Sequence, residues 1–181
     1  LQLVKLGNTI YKKRKEFVEE LIPIFQKYYT SVSGDAERVS LLYQSQLDEV
    51  SFDIQLKSNA NKDRAAQFTT IGIHKDDLIL MQGGHPIKKE GSQGQQKTYL
   101  LALKLAQFDF IKEVSGIRPI LLLDDIFDKL DRERVRLLIS MVGHEPFGQV
   151  FITDTHKMRM EDIIGHEAHI QLFEVKDGGV L

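Results

Sequence analysis

The chain has 181 residues, 42% hydrophobic and 28% charged, and its 24 basic and 26 acidic side chains leave a formal net charge of −2. That length can bury a core in one medium domain or two small ones, while the charge excludes a basic arm that holds nucleic acid by bulk electrostatics. The sequence has no cysteine, which excludes a disulfide scaffold and thiolate metal sites and fits a reducing, cytoplasmic setting. No apolar run approaches the ~20 residues of a membrane span, and no secretory signal is present, so no membrane partner is expected. The chain opens on Leu1 rather than Met, from which a missing N-terminal part is expected.

In chain order, Ile10, Phe17, Val18, Leu21, Phe25, Tyr28 and Val32 recur at helical spacing, the stripe of an amphipathic helix. Pro23 is expected to kink it and Ser33-Gly34 to end it. Lys12-Lys13-Arg14-Lys15 is followed at once by Glu16, Glu19 and Glu20, so it reads as a solvated face. Val39, Leu41 and Tyr43 alternate with Ser40, Leu42 and Gln44, as in a short strand, and residues 48–67 hold a further helix. Asp77–Met81 and Pro86–Lys88 flank Gln82-Gly83-Gly84-His85, a hairpin pattern.

Gln95–Val114 reads as a long helix with apolar residues on most faces, buried between layers. Ser115-Gly116 and Pro119 stop it. Ile120–Leu123 is an unbroken apolar run ending in two carboxylates, the pattern of a central parallel strand covered on both faces. Asp131 can cap a helix running to Val142, and Val150–Thr153 and Ile170–Val175 read as further strands. The expected fold class is mixed α/β, divided at residue 68 into a helical lobe, 1–68, and an α/β portion, 69–181.

Two patterns carry chemistry. Asp124-Asp125 closes an apolar strand, where open α/β sheets bind ligands. One Asp in that position holds Mg²⁺ directly or through water, and a second acid beside it can polarise an attacking water. Alone, the pair reads equally well as a solvated strand end. Gly91-Ser92-Gln93-Gly94-Gln95-Gln96-Lys97 opens the long helix, and a hydroxyl with close-approaching backbone amides at a helix start forms an anion site. Alone, that run also fits a capped turn. His166 and His169 stand three apart with His156 upstream, but without cysteine or a clear further ligand they read as surface histidines rather than zinc ligands.

The order of these patterns resembles the C-terminal half of an ABC-type ATPase head: signature motif, Walker B strand, then D-loop. The wording Gly-Ser-Gln-Gly-Gln-Gln-Lys with Leu-Leu-Leu-Asp-Asp-Ile-Phe-Asp-Lys-Leu-Asp is similar to the RecF family, bacterial recombination mediators of the SMC-like branch. Thr70-Ile71-Gly72-Ile73-His74-Lys75-Asp76-Asp77-Leu78 resembles a Gly-Pro-His-Arg-Asp-Asp-Leu stretch of that family, with Ile73 and Lys75 departing from it. Arg14-Lys15-Glu16-Phe17 and Leu42-Tyr43-Gln44-Ser45-Gln46 resemble its second lobe.

The resemblance implies that Ser92, Gln93, Gly94 and Gln95 meet the nucleotide held by a partner protomer. It implies that Asp124 supports Mg²⁺ and that Asp125 stands where most ABC proteins have Glu, giving a slow ATPase. Asp128 and Asp131 would belong to the D-loop, and Asp154 or His156 to the γ-phosphate switch. ATP and Mg²⁺ are the implied cofactors. The implied partners are DNA at single-strand/double-strand junctions, a second copy joined by ATP, and the mediator proteins RecO and RecR.

No Gly-x-x-x-x-Gly-Lys-Ser/Thr occurs, so this stretch by itself is expected to be inactive and to bind ATP no better than millimolar. The resemblance implies an ATP-gated clamp in recombination and repair, two heads closing on DNA with ATP and opening on slow hydrolysis, and two other classes compete with it. One is a docking module with a relic ATPase half. The other is a metal-dependent phosphohydrolase or nuclease using Asp124, Asp125 and Asp76 or Asp77.

Overall fold

A computed structural model describes residues 2–34, 38–124, 130–143, 147–155 and 170–180. Helix and strand are mixed, as expected, and the chain divides into two compact units, Leu1–Phe110 and Ile111–Leu181.

The first unit is organised by helix α1, Gln2–Ser33, which buries Gly7, Val18, Leu21, Phe25, Tyr28, Tyr29 and Val32. The helix runs unbroken through Pro23. That residue is exposed, so the carbonyl that loses its amide donor can turn to water. Gly34, at φ 73°, ends the helix in the left-handed conformation.

Strand β1, Val39–Gln44, alternates buried Val39 and Leu41 with exposed Ser40 and Leu42. It pairs antiparallel with β2, Asp77–Gln82, from Val39↔Gln82 to Gln44↔Asp77. Between them lie helices α2, Phe52–Ser58, and α3, Ala60–Ala66, and a 3₁₀ turn, Ile73–Lys75. Gly83 and Gly84, at φ 57° and 88°, make the tight turn into β3, His85–Pro86. Both positive φ values match the twist a two-residue hairpin requires. The expected continuation of that strand to Lys88 gives way to α4, Ile87–Glu90.

Helix α5, Gln93–Ser115, packs one face rather than all of them. Tyr99, Ala102, Leu105 and Ala106 are fully buried, but Leu100, Ile111 and Val114 are 53%, 42% and 72% exposed. The expected burial between layers is therefore corrected: an apolar residue on several faces does not by itself supply a cover for each.

The core of this unit is aromatic. Phe25 lies 4.6 Å from Tyr99 and 6.1 Å from Tyr29, and Tyr29 lies 5.7 Å from Tyr99, between ring centroids. Tilted rings at these distances are favourable beyond their buried area. The buried Tyr99 hydroxyl donates to the Ser40 carbonyl at 2.6 Å, so its polar tip is satisfied.

In the second unit, β4, Leu121–Leu123, runs parallel to β5, Val150–Ile152. Helix α6, Arg132–Val142, buries Val135, Leu138, Ile139 and Val142. Leu121 and Leu123 are buried, whereas Leu122 and its register partner Phe151 are 64% and 50% exposed. The expectation of cover on both faces of β4 is corrected accordingly: one face is buried and the other open.

Strand β6, Val175–Lys176, forms a hairpin with β7, Gly179–Val180. Residues 170–174 are not strand, contrary to expectation. The Asp177-Gly178 turn, with φ 50° and 79°, sets a hairpin that starts only at Val175. No helix among the described residues is long and apolar enough to cross a membrane.

Candidate functional site

Two stretches carry the residues singled out from the sequence, one in each unit. In the first unit the turn from α4 to α5 is closely built. The Gly91 amide donates to the Ile87 carbonyl at 2.8 Å. A Cβ on Gly91 would stand 2.5 Å from Ile87 Cγ1 and 2.7 Å from the Ile87 carbonyl oxygen. Glycine is therefore required by space, since its φ of −75° is ordinary.

Ser92 and Gln95 then cap α5 reciprocally. The Gln95 amide donates to Ser92 Oγ at 3.2 Å, and the Ser92 amide donates to Gln95 Oε1 at 2.8 Å. This is a capping box, which satisfies two donors at once. Gln96 Nε2 fastens the turn from inside, donating to the Gly91 carbonyl at 2.8 Å. The amides of Gln93 and Gly94 head the helix with no intrahelical acceptor, and Ser92 and Gln93 are exposed. The arrangement offers backbone donors, a serine hydroxyl and a helix dipole to an anion. An open groove of about 410 Å³ adjoins it, lined among others by Arg38, His85, Glu90, Gly91 and Gln95. His85 Nδ1 and Glu90 Oε1 stand 3.4 Å apart there.

In the second unit, Asp124 follows β4 and Thr153-Asp154 follow β5. The Thr153 hydroxyl donates to Asp124 Oδ1, and the Thr153 amide donates to the Leu123 carbonyl at 3.0 Å. The C-terminal ends of two parallel strands thus bring a carboxylate and a hydroxyl together, with Asp154 next in line. Hard oxygen donors of this kind suit Mg²⁺, which takes one or two carboxylates and keeps several waters. Asp131 caps α6, accepting from the Arg134 amide at 2.9 Å. Asp125, Asp128 and His156 lie outside the described residues, as do His166 and His169. Among the described residues, no cluster of three or more His, Cys, Asp or Glu side chains is placed to hold a metal.

Asp76, a candidate metal ligand on the sequence alone, instead accepts from three side chains in a buried polar centre. The Asp76 side chain is 3% exposed. It accepts from Arg14 Nη1 at 2.8 Å, from the Tyr43 hydroxyl at 2.6 Å and from Ser45 Oγ at 2.7 Å. Arg14 also donates to the Ile73 carbonyl at 2.6 Å, and His74 Nε2 donates to the Thr69 carbonyl at 2.9 Å. Asp76 thereby ties the turn at residues 73–75 to α1 and to the end of β1. Burial, with Asp76 beside it, pushes the Tyr43 hydroxyl up to about 12. Nearby, Tyr11 donates to Asp48 at 2.5 Å and Lys15 reaches the same oxygen at 3.0 Å. These two hydrogen bonds lower the Asp48 carboxyl below its ordinary value, the tyrosine contributing most.

The sequence did hold a signal for this centre. Arg14 sits seven residues from both Gly7 and Leu21, on the buried stripe of α1, unlike Lys12 and Lys13 beside it. Tyr43 and Ser45 are two apart, on one face of an extended segment.

The architecture resembles SMC-type ATPase heads. A solved structure from a study of ATP-driven dimerisation and DNA-stimulated activation of SMC ATPases superposes on 94% of the chain with a TM-score of 0.57 at 14% identity. More particularly, the chain is homologous over most of its length to RecF, and to the C-terminal portion of it. It is 55% identical over 163 residues to the DNA replication and repair protein RecF of Flavobacterium johnsoniae, covering 90% of the chain and 45% of that protein. It is 47% identical over 180 residues to RecF of Phocaeicola vulgatus, covering 98% and 48%.

A solved structure of the recombination mediator protein RecF with ATPrS matches 98% of the chain and 47% of its own, with a TM-score of 0.74 and 27% identity. No family model matches. The chain spans about half the length of the curated relatives it matches.

Proposed function

We propose that the polypeptide to which this stretch corresponds is an ATP-gated DNA-binding protein of the RecF kind, acting in replication, recombination and repair. Nucleotide held by one head is completed by the turn at Ser92–Gln95 of a second copy. The closed pair holds DNA at single-strand/double-strand junctions, and slow hydrolysis releases it. Binding is then a population shift between open and closed heads, driven by what the nucleotide adds to the closed form. RecO and RecR are the partners proposed with it, on the ground of homology alone.

The observation that carries this reading is the capped turn itself, a backbone-and-hydroxyl anion site opening a long helix, in a chain homologous to RecF. In this scheme Ser92 and the amides of Gln93 and Gly94 donate to terminal phosphate oxygens. Ser92 Oγ can accept from the Gln95 amide and still give its own hydrogen outward, and Gln95 keeps the serine in place. Asp124 would hold Mg²⁺, which when bound neutralises charge on the phosphates. Asp125 would orient the attacking water, Asp128 and Asp131 would lie on the loop facing the second copy, and Asp154 or His156 would sense the phosphate. Residues 1–68 would form the helical lobe and 69–181 the portion of the head that carries these motifs.

The test uses the full-length polypeptide with Ser92→Arg, which fills the anion site with a long side chain. ATP-dependent dimerisation, followed by light scattering, should be lost, and DNA binding should lose its dependence on ATP. Dimerisation at wild-type ATP concentrations would refute the assignment of the turn.

A further inference from the structure

The ends of β4 and β5 hold one more organised side chain than the sequence motifs name. Thr153 directly follows β5, and its amide bond to the Leu123 carbonyl extends the parallel ladder one step past the Leu123↔Ile152 pair. That step sets the Thr153 hydroxyl against Asp124, to which it donates. Both residues are exposed, so packing does not fix the carboxylate, and an unsupported Asp in water turns freely about its side-chain bonds.

We propose that Thr153 is a positioning residue whose hydroxyl holds the Asp124 carboxylate in one orientation for a divalent cation. This rests on the reading of Asp124 as the Mg²⁺-supporting group. Threonine is suited to the task. Its branched Cβ restricts χ1, and its single O–H is spent on one carboxylate oxygen of a group with about four acceptor sites. Partners that orient a metal-binding carboxylate typically contribute about 10–100-fold in metal affinity.

The experiment measures Mn²⁺ binding by electron paramagnetic resonance in the full-length polypeptide with ATP, beside thermal melts of each variant. Thr153→Val should weaken Mn²⁺ about 10–100-fold, Thr153→Ser should restore it, and the melts should coincide. Should the valine variant melt early, Thr153→Ala removes the same hydroxyl without adding a methyl group in its place. Asp124→Asn is the reference. If it loses Mn²⁺ while Thr153→Val and Thr153→Ala bind as wild type, the positioning role is wrong and the reading of Asp124 stands. If Asp124→Asn itself binds as wild type, that reading falls and the role of Thr153 falls with it.

Discussion

The two units differ in what holds the side chains beside each candidate site. In Leu1–Phe110, the Phe25–Tyr29–Tyr99 cluster is closed, the Tyr99 hydroxyl is paired, and Asp76 accepts from three donors. In Ile111–Leu181, a two-stranded parallel sheet buries Leu121 and Leu123 but leaves Leu122 and Phe151 open. Parallel sheets ordinarily lie inside, with both faces covered. The turn at Ser92–Gln95 thus belongs to the unit with the aromatic core, and Asp124 follows a strand with one open face. Two reciprocal hydrogen bonds with Gln95 hold Ser92, whereas among the described residues the Thr153 hydroxyl donates to Asp124.

This contrast can be broken most forcefully at the aromatic core. Phe25→Ala in the full-length polypeptide should cost about 3–5 kcal/mol in thermal or urea denaturation, as expected for a fully buried ring. A loss below about 1 kcal/mol would mean that the cluster is not a closed core.

Gly91→Ala comes next. The added methyl group meets the Ile87 carbonyl as well as its side chain, so backbone must move, at about 1–3 kcal/mol. If the turn is the nucleotide contact, this small substitution should also raise the ATP concentration needed for dimerisation. A stability change with unaltered dimerisation would separate the turn's packing from its proposed task.

Asp131→Ala sharpens the comparison from the other unit. It removes the cap of α6 and should cost about 0.5–2 kcal/mol. Asp131→Asn, which keeps an acceptor, should recover most of that stability.

The smallest effect is an alkaline one. The Tyr43 hydroxyl is raised from 10.0 to about 12 in the folded chain, so the folded state favours its neutral form. Its contribution is fully present below about pH 10 and is lost as pH rises through about 12. Tyr43→Phe should flatten that part of the stability profile, measured by denaturation between pH 9 and about 12. An unchanged alkaline slope would assign it to other groups.

Much of this arrangement was legible in the residues. The alternation of β1, the Gly83-Gly84 turn and the cap at Asp131 follow from local chemistry and stand where expected. The stripe of α1, by contrast, is buried from Val18 to Val32 but leaves Ile10 and Phe17 exposed, and α5 starts at Gln93 rather than Gln95. What escaped was tertiary. The apolar faces of α5 and β4 announce that they want cover, but periodicity cannot say whether this stretch provides it, and Leu100 and Leu122 are exposed. The Asp76 centre escaped because its donors come from positions 14, 43 and 45, which only the pairing of β1 with β2 and their packing on α1 bring together. Arg14 was hidden among neighbouring lysines, although its position on the helix stripe sets it apart. By pattern Thr153 is the last residue of a strand, and the importance of its hydroxyl depends on the register of β5 against β4.

The open side of that strand pair also has a colloidal consequence. Leu122 and Phe151 face water on a chain whose formal net charge is only −2, and weak mutual repulsion leaves apolar patches free to meet. For this stretch handled by itself, concentration rather than temperature should set the working limit. Its solutions should scatter light increasingly as they are concentrated, well below any melting transition. Lysine at Leu122 and Phe151 should clear them, whereas lysine at the buried Leu123 should not.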